Sequence, residues 1–148
     1  MQTIVVERTI NAPIEQVFEL ISDHANYKRF NGIKDSKLLK EGKEEPNGDG
    51  AVRRIELGVV WFEEEISNFA RPERMDYRIV RSRPPIEHES GRIRLRETAE
   101  GTTVTWTSTF RIRIPLAGRV LSPMAAKAGT KAFASMLKAI DRQLTATG

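Results

Sequence analysis

The sequence of 148 residues contains no cysteine. It therefore has no disulfide framework, no thiolate nucleophile and no cysteine-based zinc site, and a reducing, cytoplasmic setting is expected. Histidine is scarce too. His24 and His88 are the only two and stand far apart in the chain, so each is expected at the surface or in a capping position rather than as a base or ligand. Long apolar runs are missing. The opening MQTIVVERTINAP lacks both the basic leader and the apolar stretch of a signal peptide, and no later segment approaches a membrane span. The sequence also lacks G-x-S-x-G, the P-loop, G-x-G-x-x-G and H-E-x-x-H, and with them the signatures of nucleophilic hydrolysis, nucleotide binding and zinc proteolysis. Glu63, Glu64 and Glu65 would alternate faces on a strand, so they cannot present three ligands to one metal. No metal and no cofactor is expected.

Neither sign of charge dominates. Lys and Arg number 24 against 20 acidic residues, for a net charge of +4, and the two signs are interspersed as on an ordinary solvated surface. The arginines at Arg92, Arg94, Arg96, Arg111 and Arg113 are accompanied by threonines rather than aromatics, which argues against base stacking. No nucleic-acid partner is expected.

Apolar residues make up 39% of the chain, enough for one core, and a single domain over 1–148 is expected. Ile4 to Ile10 alternate as a strand. Asn11, Ala12 and Pro13 then supply a cap and a first-turn proline, and Ile14, Val17, Phe18 and Ile21 recur at helical spacing. A second short helix spans roughly His24 to Asn31, ended by Gly32. From Ile33 the period becomes two. Strands are predicted over Ile33–Lys40, Ala51–Leu57, Val59–Phe69, Met75–Ser82, Glu87–Thr98 and Thr102–Ile114, separated by turn-rich segments, so successive strands pair as an antiparallel meander. A long C-terminal helix follows, with Leu121, Ala125, Ala128, Ala132, Met136, Ile140 and Leu144 on one stripe. Ser122–Pro123 could start this helix, or Pro123 could kink one that began near Leu116. The implied fold is α+β, a curved antiparallel sheet of about seven strands with two short helices after the first strand and the long helix covering one face.

Alternation assigns the faces. Val104, Trp106, Ser108 and Phe110 point inward, as do Glu89, Gly91, Ile93 and Leu95, Tyr77 and Ile79, and Ala51, Arg53, Ile55 and Leu57. In the strand after Gly58 the rows Trp61, Glu63, Glu65, Phe69 and Phe62, Glu64, Ile66, Asn68 compete. Arg53 in an apolar row needs a partner, expected to be Glu65 or Glu63. Small residues on the helix, Ala125, Ala126, Ala128 and Gly129, leave either an incompletely filled concave side or a close helix-on-sheet approach. The first outcome is a cavity for an apolar or aromatic small molecule.

Four segments carry a family resemblance: NAPIEQVFELISD, GAVRR, EEISNFARPERMDYRIV and GTTVTWTSTF. In this order they resemble the START-like helix-grip superfamily, in particular its polyketide cyclase/dehydrase and lipid-transport branch. The resemblance implies a central cavity between sheet and C-terminal helix that takes a lipid, quinone or polyketide-like ligand. It matches Arg53, Glu65, Tyr77 and Trp106 to family positions, while Glu89 stands where the family often has an aromatic. Two functions follow as expectations. One is a non-catalytic binder lined by Ile55, Trp61, Ile79, Glu89, Ile93, Trp106, Ser108, Phe110, Ala125, Ala128, Gly129, Ala132 and Met136. The other is a cyclase/dehydrase performing aldol-type ring closure, with Arg53 polarising a carbonyl, Glu65 or Glu89 moving the proton and Tyr77 donating a hydrogen bond. A homodimer through the threonine-rich outer face is a further possibility.

Overall fold

In the computed structural model, which describes residues 1–146, β1 (Gln2–Ile10) leads through Asn11–Pro13 into α1 (Ile14–Ser22). Pro13 is the N-cap. Its backbone is extended, and its carbonyl accepts from the N–H groups of Gln16 and Val17. Ile14, Val17, Phe18 and Ile21 are buried, as their spacing predicts. The second short helix is a 3-10 helix (His24–Arg29). Then come β2 (Asp35–Lys40), β3 (Val52–Glu56), β4 (Trp61–Ala70), β5 (Arg74–Arg83), β6 (Ile86–Thr98), β7 (Gly101–Ile112) and α2 (Gly118–Thr145).

The seven strands form one antiparallel sheet in the order β1-β7-β6-β5-β4-β3-β2. β2 to β7 are a meander, as the short connections require, and β1 adds to the free edge of β7. Each of four irregularities adds one residue to one strand: Leu39 in β2, Val80 in β5, Glu89 in β6, and one in β4 beside Asn68, whose φ is 47°. Such bulges bend a sheet and re-aim its side chains. Here they reset which residues point inward.

α2 begins at Gly118, so Pro123 lies inside the helix rather than at its start. Ser122 Oγ accepts the Ile112 N–H at 2.9 Å, fixing the helix to the end of β7. The helix packs chiefly on β1 and β7. It comes in close: a Cβ built on Gly129 would stand 2.6 Å from Ile4 Cδ1. One turn later Phe133 stacks on Trp106, with ring centroids 3.8 Å apart and planes at 9°. At Gly129, then, the small residue serves close approach and opens no void.

The inner face differs at its two ends. Toward α1 and the C-terminal half of α2, Ile66, Met75, Ile93, Leu95, Val104, Leu137 and Ile140 are all sealed. Toward the β3–β4 and β5–β6 loops and the start of α2, the inward residues Phe62, Ile79 and Ile86 are only half-buried, as is Phe133 above them. The inner face is sealed at one end and only half-buried at the other, its more open end.

Candidate functional site

From the open end, Ile86 and then His88 are successive inward positions of β6, opposite Ile112 and Phe110 of β7. Strict alternation would put Glu89 inside. The bulge instead leaves Glu89 exposed and lets Gly91, opposite Ser108, resume the inward row. His88 is 4% exposed. Its Nδ1 accepts the Ile79 N–H at 3.0 Å, which leaves the proton on Nε2, 2.9 Å from Ser108 Oγ. Burial, and then the charge of Arg78, lowers its pKa from 6.5 to about 4, so the imidazole is neutral near pH 7.

Tyr77 of β5 lies flat against His88, with centroids 5.4 Å apart and planes at 20°. Its ring runs across Gly91, where a Cβ would meet three ring carbons at 2.4 to 2.7 Å. Only glycine fits beneath that ring. The Tyr77 hydroxyl accepts the Trp106 indole N–H at 2.8 Å and has Ser108 as a second hydrogen-bonding neighbour. Burial, with Glu64 nearby, pushes the phenol up from 10, and it stays protonated. The pairs His88–Ser108 and Trp106–Tyr77 thus lie side by side on the inner face, with Phe133 covering Trp106.

A second buried polar group lies deeper. Arg53 of β3 is 1% exposed, and its partner is Glu64, directly opposite on β4. Both Nε and Nη2 lie 2.8 Å from Glu64 Oε1. Its Nη1 donates to His24 Nδ1 at 3.1 Å, and His24 Nε2 donates to the Asn47 carbonyl at 2.9 Å. The rings of Tyr27 and Tyr77 both lie near the guanidinium, 4.8 and 5.3 Å from its carbon. Burial and then the Arg53 charge lower the His24 pKa from 6.5 to about 3. The guanidinium is fully engaged and walled off by aromatic rings.

The structure brings together Arg53, Tyr77, Trp106, Ser108, Phe110, Ile55, Ile79 and Ile93 on the inner face, and Ala125, Gly129 and Met136 of α2 pack toward it. It corrects other positions. Glu65 is exposed, because Phe62, Glu64 and Ile66 form the inward row of β4. Glu63 faces the convex side, where it pairs with Arg54 and Arg81. Trp61 is also convex, under Arg54 at 4.1 Å. Ala128 and Ala132 face solvent, because α2 is rotated to present Phe133 and Leu137. His24 and His88, expected at the surface, are both buried. Phe133 carried a signal in the sequence: it lies four residues after Gly129 and four before Leu137. Among the described residues, no group of three or more acidic or histidine side chains is placed to hold a metal ion.

The fold has close relatives among solved structures. An aromatase/cyclase, Zhui, from a Streptomyces species superposes with a TM-score of 0.78 at 22% identity, with 99% of this chain and 98% of that one covered. A protein from Thermus thermophilus gives 0.77 at 22% identity, covering 98% of each chain. A START superfamily protein from Mycobacterium smegmatis gives 0.75 at 14% identity, covering 96% of each. At these identities the likeness speaks for the fold alone. No curated protein sequence matches the chain. The sequence pattern of one family, polyketide cyclase/dehydrase and lipid transport, matches residues 1–145, and the chain belongs to that family.

Proposed function

We propose that the protein binds an apolar or aromatic small molecule that enters at the open end of the grip and sets one polar atom against the Ser108–His88 pair. The observation that carries this reading is the gradient along the inner face. Half-buried Phe62, Ile79, Ile86 and Phe133 come first, and His88 with Ser108 are the first polar side chains behind them. An apolar slot with a few placed polar groups is the usual make-up of a small-molecule site. Phe133 is the movable part, since its ring is the half-buried member of the stack on Trp106.

Binding without turnover is favoured over ring closure by the occupancy of the acid–base groups. Both nitrogens of His88 are engaged, Glu64 Oε1 is held by Arg53, and Tyr77 is held protonated. Neither His88 nor Tyr77 is poised as a free base near neutral pH. Native mass spectrometry of protein purified from its host tests the reading. A retained mass of a few hundred daltons that is lost on Ser108→Phe supports it; a bare chain that also fails to take up lipids, quinones and naphthols refutes it. Equal cyclisation of a linear poly-β-ketone thioester by wild type and by a His88→Phe, Tyr77→Phe double variant would remove the catalytic alternative.

A further inference from the structure

The rim of the open end carries large apolar side chains that fold stability does not explain. Val59, in the β3–β4 loop, is 83% exposed, and Leu116, just before α2, is 84% exposed. Leu116 has φ 66°, a left-handed conformation that is rare for a branched residue, and the backbone there turns its side chain outward. Val120 and Met124, one turn apart on α2, continue the exposed apolar row. These loops are joined. Val59 and Val60 share a surface hollow with Arg83, Pro84 and Pro85, and the Pro85 carbonyl accepts the Arg113 N–H at 2.8 Å.

The charge left unpaired around these tips has one sign. From Gly101 to Ile140 the chain holds Arg111, Arg113, Arg119, Lys127, Lys131 and Lys138 but no aspartate or glutamate. Among the described residues, Arg83, Arg113 and Arg119 have no carboxylate within ion-pair distance. The nearest rim acids, Glu56 and Glu87, are taken by Arg54 and Arg111. A second copy docked by this rim would set arginine against arginine. Separate apolar tips on convex loops, backed by unpaired cations, have the make-up of an interfacial anchor.

We propose that the open end docks on the surface of an anionic lipid bilayer, with Val59, Leu116, Val120 and Met124 entering the acyl boundary and Arg83, Arg113, Arg119 and Lys127 meeting the headgroups. The proposal rests on the rim alone and does not depend on what the interior takes up. Vesicle co-sedimentation tests it, with the whole chain and mixed phosphatidylserine–phosphatidylcholine vesicles against pure phosphatidylcholine. Binding to the mixed vesicles, weakened by salt, is expected. The Arg113→Glu, Arg119→Glu variant should lose at least about 25-fold, at about fivefold for each basic residue removed from the surface. Val59→Ser with Leu116→Asn, an asparagine being tolerant of the left-handed backbone, should lose binding while keeping every charge. All these residues are exposed, and an unchanged melting curve checks that the variants fold. Arg92→Glu on the convex face should bind as wild type. Absence of binding to either vesicle, equal binding to both, or equal loss from Arg92→Glu overturns the proposal. So does loss from the charge variant alone, which would mark a soluble polyanion as the partner.

Discussion

Replacing Arg53 by methionine tests whether the deeper polar group holds the sheet together. The substitution keeps an apolar stem of similar reach but removes a guanidinium that is 1% exposed. Glu64 Oε1 loses two donors at 2.8 Å, His24 Nδ1 loses one at 3.1 Å, and the Tyr27 and Tyr77 rings lose a nearby cation. Breaking one partner of a buried pair costs roughly 3–5 kcal/mol because the other charge is left without a counterion. About 4 kcal/mol is therefore expected at neutral pH. Urea unfolding with linear extrapolation measures it. The double variant Arg53→Met, Glu64→Leu removes both charges and should be more stable than Arg53→Met alone by about 2 kcal/mol, a coupling that additivity cannot supply. The His24 imidazole should also titrate higher in Arg53→Met, because the Arg53 charge is the second cause of its depression after burial. A loss under about 1 kcal/mol, or two changes that simply add, would refute the reasoning.

Acid should destabilise the protein through its two histidines. Folded, His24 and His88 titrate at about 3 and about 4, against 6.5 when unfolded, so below pH 6.5 the unfolded chain binds these protons first. Stability is full above that point and falls toward pH 4 by about 1.4 kcal/mol per pH unit for each histidine. Unfolding free energies measured across this range should drop by about 5 kcal/mol over two units, and a flat profile would contradict both burials. Gly91→Ala drives a methyl into the Tyr77 ring, which His88 backs on one side, and should cost about 1–3 kcal/mol. The indole N–H resonance of Trp106 should shift in the same variant as its bond to Tyr77 is disturbed. Gly129→Leu should cost about 1–3 kcal/mol or more by forcing α2 off Ile4, read from thermal unfolding.

The sheet and the long helix were legible because their signals are strong. Threonines alternating with Val104, Trp106, Ser108 and Phe110 leave one choice of face, and the turn-rich separators leave one pairing scheme. What was hidden follows from weak contrast. Glu63, Glu64 and Glu65 read alike on either face, so the true partner of Arg53 appears only in the register of β3 on β4. The alanines of α2 have no preferred side, so helical spacing alone runs the stripe through Ala128 and Ala132 rather than through Phe133. Bulges are the third cause. One extra residue at Glu89 reverses the alternation before it and sends His88 inward, and nothing local in IEHESG announces that step. The inward places of Tyr77, Trp106 and Ser108 came from alternation alone, and all three hold.

The central claim is that the open end of the inner face admits an apolar ring molecule as far as Ser108. The two tryptophans report on it directly, because Trp106 lies on the inner face beneath Phe133 and Trp61 on the convex face beside Arg54. In proton–nitrogen correlation spectra of the whole chain titrated with naphthol, the Trp106 indole resonance should move saturably while that of Trp61 stays in place. Movement of Trp61 alone, or of neither, would contradict the account.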